Sequence, residues 1–506
     1  MDFSQVKVIT IPEGAVKQIT DGLGRVLWKV ASSPSVDYTE PFYVESRGNA
    51  MNVSITKANT NAPTIPVEYS FDKTTWQSLG STSTTALTIN VPAGGKVWLR
   101  ANTNKWAANA AYYNYITTST QSNVGGNIMS LLYGDTFTEQ REFPLLLTYI
   151  FCQLFRNGGS GAGNIVDASK LLLPTKTLTQ YCYTGMFRKC TSLTTAPELP
   201  ATTLQLNCYQ QMFNGCTSLS TAPVLPATTL ANNCYANMFN GCTHLTEAPV
   251  LPATTLANNC YANMFNGCTH LTEAPVLPAT TLTKECYSNM FYNCYALTQA
   301  PVLPATTLAQ QCYQSMFEGC YNLRQAPALP ATTLAQQCYQ NMFKSCSKLA
   351  QAPALPATTL VQKCYLGMFK SCSKLAQAPA LPATTLTEYC YQEMFYGCTS
   401  LTTVPDIPAT TLSEGSCREM FYGCTSLTTA PALPATTLSA MCYTNMFNGC
   451  RNLNYVKCLA TDISASYCIS NWVNGVASSG TFVKKAGVSW STGASGIPSG
   501  WTVVEE

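Results

Sequence analysis

Cysteine is the residue type with the greatest chemical potential in this 506-residue sequence, because its 25 copies could form disulfides, bind metal or act as nucleophiles. Seven residues separate the recurring pair, as in Cys208 and Cys216, whereas zinc sites favour a spacing of two to four. On a continuous helix such a pair spans about 12 Å, too far for a disulfide. Helices of neighbouring repeats would pack about 8–10 Å apart. We therefore expect buried free thiols, with pairing between repeats as an open alternative.

The two histidines, His244 and His270, are the other candidates for chemistry. They occupy equivalent positions one repeat apart, so they are either a metal-binding or pH-sensing pair or a surface variation copied by duplication. Glu247 and Glu273 are duplicated in the same way and form no paired-carboxylate site. The repeats contain no glycine-rich phosphate loop. The sequence therefore predicts no enzyme, no cofactor and no metal site.

A 26-residue repeat fixes the positions of nearly all the cysteines. Each repeat places a Met-Phe doublet between two cysteines, so that Met212 and Phe213 lie between Cys208 and Cys216. We expect these four positions to form a buried structural ladder through the repeats. The doublet begins at Met186, Met212, Met238, Met264, Met290, Met316, Met342, Met368, Met394, Met420 and Met446.

A period of this length predicts a solenoid, in which each unit buries its apolar face only against its neighbours. The Cys-Tyr-x-x-Met-Phe segment has helix-like spacing, so we expect a short helix or helical turn that ends at the following glycine. The segment from Leu193 to Leu199 should be extended and face inward. Because Pro197 has no N–H to donate, the strand should be short or irregular.

The units at both ends of the solenoid, and one unit inside it, depart from the pattern. Cys468 keeps the cysteine position in the last unit, but Trp472 replaces the methionine. Near Phe151 a first unit is interrupted by an insertion around residues 158–163. Atypical terminal units are typical of caps. Inside the solenoid, Cys417 lies one position later than the pattern requires.

The whole sequence predicts a mixed fold in which an N-terminal immunoglobulin-like β-sandwich precedes the solenoid. Residues 31–118 contain short strand-like runs separated by turn residues, which is typical of such a sandwich. Residues 1–30 also alternate in strand fashion but are too short for a core of their own. Residues 119–180 are the connector and N-terminal cap, 181–456 the repeats, and 457–506 a degenerate repeat and a β-rich C-terminal cap.

The amino-acid composition of the chain restricts the classes of molecule that it could bind. Only 10% of the residues are charged and the net charge is +3, so a nucleic-acid partner is not indicated. The longest apolar run, residues 143–155, is shorter than the ~18 residues of a membrane helix, so we expect no membrane insertion. Residues 1–7 lack the basic start and apolar core of a secretory signal, which favours folding in a cytoplasm where disulfides are rare.

The repeat unit, Leu-Pro-Ala-Thr-Thr-Leu-x-x-x-Cys-Tyr-x-x-Met-Phe-x-Gly-Cys-Thr-Ser-Leu-Thr-x-Ala-Pro, resembles the BspA-type leucine-rich repeat, with Met-Phe where that family usually has Ala-Phe. The resemblance covers a little over half the chain. It implies a leucine-rich-repeat solenoid and the role of a surface adhesin that binds host matrix or other cells. Those adhesins carry export signals, and here we find none.

A second, shorter resemblance concerns residues 11–28, which are similar to the N-terminus of Bacteroides phage virion proteins. The order of a β-sandwich, then Gly126-Asn-Ile-Met-Ser-Leu-Leu, then the repeats is also similar to a layout in gut Bacteroidales and their phages. This resemblance implies that residues 1–30 attach the chain to other virion proteins. A virion protein assembles in the host cytoplasm and leaves on lysis, so it needs no export signal.

Variation at a few positions of the uniform repeat marks the candidate binding surface. Stacked repeats should align these positions into stripes rich in tyrosine, lysine and glutamine. Exposed tyrosine and arginine are favoured at interfaces, whereas the alternative is a solvated face that only provides solubility. The candidate ligand-binding residues are Tyr292, Tyr295, Tyr321, Arg324, Lys348 and Lys374.

The function that we expect is a non-enzymatic phage virion protein, a tail or head fibre or appendage, that presents its repeats to a glycan or protein of the host-cell surface. We expect it in the virion and as a homo-oligomer, because a weak contact on several copies gains avidity. The alternative is a bacterial BspA-like adhesin on the cell surface. A weaker alternative, a glycan-degrading enzyme, would require a cleft with paired carboxylates.

Overall fold

A computed structural model describes residues 37–144, 146–156 and 163–506, together with two short N-terminal strands. The strands β1 (Gln18–Thr20) and β2 (Val26–Lys29) pair antiparallel. The rest of the predicted attachment segment, and most of the insertion predicted near residues 158–163, lie outside the described residues. No helix in the described part of the chain is long and apolar enough to cross a membrane.

Two β-sheets form the part of the chain that precedes the repeats, up to Leu172. Their strands are β3 (Tyr43–Ser46), β4 (Met51–Lys57), β5 (Pro66–Ser70), β6 (Gln77–Ser81), β7 (Leu87–Val91), β8 (Lys96–Ala101), β9 (Asn114–Thr118), β10 (Ser122–Asn127) and β11 (Ile165–Leu172). The larger sheet is mixed and has the order β11-β10-β3-β8-β5-β6, and the smaller has the order β7-β4-β9. A helical turn α1 (Ser130–Tyr133) and a 3-10 helix (Gly134–Glu139) follow β10.

Alternating side chains of these strands fill one hydrophobic core. In β4, Met51, Val53 and Ile55 are buried while Asn52 is exposed, as expected for a strand with one face against the core. The larger sheet reaches past the segment 31–118, because β10 and β11 come from the residues that we predict as the connector.

The core of the sheets continues into the repeats. The ring of Phe155 lies 5.8 Å from that of Phe42 in the β domain and 5.1 Å from that of Phe187 in the first repeat. The N–H of Phe155 donates to the carbonyl of Met186 at 2.8 Å. This direction of hydrogen bonding recurs between later repeats, so the residues around Phe155 already belong to the stack.

The Cys-Tyr-x-x-Met-Phe segment is not a helix, which corrects the sequence prediction. It is a run of turns in which alternate N–H groups point in different directions. Met212 donates within its own coil to Tyr209 at 3.1 Å, whereas Phe213 donates to the carbonyl of Met238 in the next coil at 3.0 Å. Every fourth residue is left-handed, as at Gln211 with φ 58°, and this conformation interrupts a right-handed helix.

On the opposite side of each coil, the predicted strand is reduced to single parallel bridges. Glu247 bridges to Glu273, and Glu273 bridges to Gln299, one residue per coil. Pro249 and Pro275 follow two residues later and cannot donate a hydrogen bond to a neighbouring coil. The strand is therefore short, as the prolines predict.

Stacked side chains fill the interior of the coils. The ring centroids of Tyr209 and Tyr235 lie 5.9 Å apart, and those of Phe213 and Phe239 lie 5.7 Å apart. Successive coils are therefore closer than the about 8–10 Å expected for packed helices. The hydrogen bonds that link Phe213 to the next coil explain this spacing, since they join the two backbones directly.

All 25 cysteines are buried and free, which confirms the prediction of unpaired thiols. Cys208, Met212, Phe213 and Cys216 are fully shielded from solvent. Free cysteine in such a position acts as a small apolar side chain. The sequence prediction assumed a helix, in which the two cysteines of a repeat are too far apart for a disulfide. The chain does not form that helix, so the burial of the thiols, and not the helical spacing, is the feature that the structure supports.

The C-terminal end carries a parallel three-stranded sheet of β12 (Tyr455–Cys458), β13 (Thr481–Lys484) and β14 (Thr502–Glu505). Trp472 occupies the methionine position of the degenerate unit and is buried. Its indole Nε1–H donates to the carbonyl of Gly496 at 2.8 Å, and its ring lies 5.8 Å from that of Trp490. Tryptophans thus cover the end of the stack.

Candidate binding surface

A tight turn after the second cysteine of each coil pushes side chains outward. The N–H of Leu297 donates to the carbonyl of Cys294 at 3.2 Å, and both of these residues are buried. The residue after the cysteine is consequently exposed. Tyr295 and its equivalent one coil later, Tyr321, are exposed by 37% and 44%.

Tyr295 and Tyr321 stack on each other, with ring centroids 5.0 Å apart and planes inclined by 12°. Because one face of each ring covers the other, ring edges and hydroxyl groups make up much of what this pair offers to solvent. Asn322 donates from Nδ2 to the carbonyl of Tyr295 at 2.7 Å, and Lys348 donates from Nζ to Oδ1 of Asn322 at 2.6 Å. The tyrosine pair, Asn322 and Lys348 therefore form one connected patch over three coils.

Three exposed cations lie on the same side of the coils as the tyrosine pair. Arg324, Lys348 and Lys374 take part in none of the ion pairs between described residues. In contrast, Lys344 pairs with Glu318 at 2.8 Å on the neighbouring turn. The three cations are consequently available to an anionic group of a ligand.

Tyr292 does not join this patch. It lies on the run of turns before Cys294 and is half-buried, and among the described rings it stacks with neither Tyr295 nor Tyr321. The structure therefore separates it from the other five predicted residues.

The turn side that holds Tyr292 carries a second aromatic pair that the sequence reasoning missed. Tyr396 and Tyr422 have ring centroids 4.6 Å apart and planes inclined by 2°. Nζ of Lys370 lies 4.3 Å from the ring of Tyr396 and also pairs with Glu393. Both tyrosines occupy the same position of the repeat as Tyr292. This equivalence in the sequence could have predicted that they stack on each other.

His244 and His270 are exposed and stack with ring centroids 5.5 Å apart. Nδ1 of His244 lies 2.6 Å from the carbonyl of Thr217, and Nδ1 of His270 lies 2.6 Å from that of Thr243. A carbonyl only accepts, so each Nδ1 carries the proton and Nε2 stays free. Among the described residues, no three histidine, cysteine or acidic side chains converge as a metal site would require.

The thiols are poorly suited to nucleophilic or metal chemistry. Burial raises the pKa of Cys208 to about 12, and burial likewise raises the pKa of Cys216 well above its ordinary value. The thiolate is the reactive and metal-binding form, so at neutral pH these cysteines are inert.

These features define a repeat protein that presents rows of side chains on a stack of similar coils. The family model described as BspA type leucine rich repeat region (6 copies) matches residues 180–324, 235–376, 284–428 and 367–472. Together these segments span more than half of the chain. The chain belongs to the BspA type leucine rich repeat family.

Two solved structures show weak similarity. The crystal structure of a TLR13–ssRNA13 complex is 13% identical, covers 62% of this chain and 42% of that chain, and gives a TM-score of 0.25. An internalin from Listeria monocytogenes is 9% identical, covers 70% of this chain and 86% of that chain, and gives a TM-score of 0.23. Such low scores support no argument about shape or function. The comparison with curated proteins gave no significant match.

Proposed function

We propose that this chain is a non-enzymatic binding protein whose solenoid of leucine-rich repeats presents the patch of Tyr295, Tyr321, Arg324, Lys348 and Lys374 to a surface molecule of a host cell. The observation that carries the proposal is the stacked tyrosine pair next to cations without an acidic partner among the described residues. Tyrosine and arginine are enriched at interfaces, and unpaired cations favour an anionic or hydrogen-bonding ligand.

The proposed setting is a phage virion. Residues 1–30 would attach the chain to other virion proteins, the immunoglobulin-like β-sandwich would act as a spacer, and the repeats would face the host. The similarity of residues 11–28 to phage virion proteins supports this setting. The continuity of the core through Phe155 also supports it, since a spacer that shares a core with the repeats holds them firmly.

The alternative is a BspA-like adhesin on a bacterial cell surface. Membership of the BspA type family favours this alternative, whereas the phage setting rests on the shorter N-terminal similarity. Mass spectrometry of purified phage particles distinguishes the two. Peptides of this chain in the particles would support the virion setting, and their absence would leave the adhesin.

Binding itself is tested with purified full-length protein on host cells. The double variant Tyr295→Ala with Tyr321→Ala should lower the amount bound at least about tenfold while the circular dichroism spectrum is unchanged. The matched control is Tyr396→Ala with Tyr422→Ala, which removes a similar stacked pair from the other side of the coils. Equal binding by both double variants and the parent protein would remove the patch from consideration.

A further inference from the structure

An exposed apolar strip follows the strand side of the stack, at the residue between proline and leucine in Pro-x-Leu-Pro. In four successive coils this residue is a valine that is 76–79% exposed. In the next three coils it is an exposed alanine, and carboxylates at Glu198 and Asp406 bound the strip. We call this row the apolar strip: Val224, Val250, Val276, Val302, Ala328, Ala354 and Ala380.

The two halves of the apolar strip have opposite shapes. The four valines project from the surface as a ridge. Where valine is replaced by Ala354 and Ala380, the missing methyl groups leave a shallow apolar hollow whose lining includes Leu355, Pro356 and Pro382. The hollow spans two coils, so it can accept two neighbouring valines of the ridge of a second copy.

We propose that the apolar strip is the interface of an antiparallel homodimer. The twofold axis passes between Val302 and Ala328, perpendicular to the stack. This axis seats Val250 against Ala380 of the partner subunit, and Val276 against Ala354 of the partner subunit. Both copies have the same 26-residue coil, so the spacing matches over the six coils from Val250 to Ala380, as an isologous interface requires, and at each end Val224 lies opposite Asp406 of the partner subunit.

The charges near the apolar strip have the order that this axis requires. Glu247 and Glu273 are exposed on the coils of Val250 and Val276, and they belong to no ion pair between described residues. Lys374 and Lys348 are exposed on the coils of Ala380 and Ala354, and they too belong to none. The twofold axis brings each acidic coil opposite a basic coil. A parallel dimer would instead place acidic coils opposite acidic coils and basic coils opposite basic coils.

The available area fits a specific but reversible contact. Six coils at about 4.8 Å and six extended residues at about 3.3 Å give a face of roughly 570 Å² per copy. A standard interface buries about 800 Å² per partner. The tyrosine pairs of both copies lie on the same edge of such a dimer. Because Lys348 and Lys374 would face either glutamates of the partner subunit or the ligand, dimer formation and ligand binding compete for these two cations.

Sedimentation of the full-length protein over a concentration series tests the proposal. The parent chain should show a monomer–dimer equilibrium. Val250→Gln with Val276→Gln should raise the dissociation constant at least about tenfold, and Leu146→Gln, which changes another highly exposed apolar residue, should leave it unchanged. A parent chain that stays monomeric up to about 100 µM would overturn the proposal.

A second variant distinguishes the proposed shape complementarity from non-specific hydrophobic association. Ala354→Val with Ala380→Val adds apolar surface but fills the hollow, so the proposed dimer should weaken. Simple hydrophobic association predicts the opposite. A dimer that is strengthened by these substitutions would contradict the antiparallel arrangement.

The charge order provides a third test. Glu247→Lys with Glu273→Lys should give a monomer, and so should Lys348→Glu with Lys374→Glu. Mixing the two variants should restore dimers, since each subunit then offers one sign of charge to the other. Failure of the mixture to associate, when both variants fold normally, would exclude the proposed register.

Discussion

The thiol of Cys216 donates to the carbonyl oxygen of Phe187, 29 residues earlier in the chain, with Sγ and O 3.1 Å apart. The same bond joins Cys242 to Phe213 at 3.2 Å, and it recurs in later coils. The second cysteine of each repeat therefore fastens one coil to the preceding one, in addition to filling space.

Cys216→Ala should destabilise the protein by about 1–2 kcal/mol, because it leaves a small cavity and removes one of the two hydrogen bonds that the carbonyl of Phe187 accepts, the other coming from the N–H of Cys190. Cys208→Ala is the matched control, since its Sγ makes no such bond to another coil among the described residues. Thermal unfolding of both variants measures the difference. An equal loss would show that the S–H bond adds nothing to packing.

Stability should fall at alkaline pH. Burial raises the pKa of Cys190 to about 12 and that of Cys398 to about 12, so the folded state favours the neutral thiol. Below the ordinary thiol pKa of about 8.5 this contribution is fully present, and it is lost as pH rises from there towards 12. Urea unfolding at pH 7 to 11 should show this decline. The Cys190→Ala variant should show a smaller decline.

Native thiols should be inert to an alkylating reagent at pH 7.5, and all 25 should react after unfolding. Thiolate is the reactive form, and both burial and the raised pKa of residues such as Cys208 suppress it. Intact-mass analysis before and after denaturation counts the modified thiols. Rapid labelling of several repeat cysteines in the native protein would contradict the described packing.

A β-branched residue at a left-handed position should be costly. Asn237→Val should destabilise by about 1–2 kcal/mol, because the backbone of Asn237 has φ 57°. Asn240→Val is a matched control, since Nδ2 of Asn240 donates to Oδ1 of Asn237 at 3.3 Å and either substitution removes that bond. The difference in melting temperature between the two variants isolates the backbone effect.

Cell binding should depend on the unpaired cations. Lys348→Gln with Lys374→Gln should weaken binding and reduce its sensitivity to salt, since two charge contacts are lost. Lys344→Gln with Lys370→Gln removes two lysines that already have acidic partners, and should change binding less. Binding curves at low and physiological salt give both effects. Identical curves for the two double variants would refute a role for unpaired charge.

Periodicity in the sequence was sufficient to predict which residues are buried. Cys208, Met212, Phe213 and Cys216 recur every 26 residues and all face the interior. The backbone between them was not predictable by the same means, because helix-like spacing of apolar residues also fits a run of turns. What distinguishes the two is a left-handed residue at every fourth position, and Gln211 gives no sign of it in its residue type.

The candidate binding surface was likewise predictable from the repeat pattern only in part. The stacking of Tyr295 on Tyr321 follows from their equivalent positions. Tyr292 is separated from Tyr295 and Tyr321 because the turn before Cys294 faces another side of the coil. The direction of that turn follows from the three-dimensional path of the chain and could not be predicted from the repeat pattern.

The hydrogen bonds between coils have a consequence for how such a chain can evolve. Residues 225–250 and 251–276 are identical, and each donates to its successor through the same backbone groups, as Phe239 does to Met264. A coil can therefore be gained or lost by recombination without any new contact being required. Each coil that is gained or lost changes the length of the stack by about 4.8 Å. The length of the stack and the number of variable surface positions on it therefore change together.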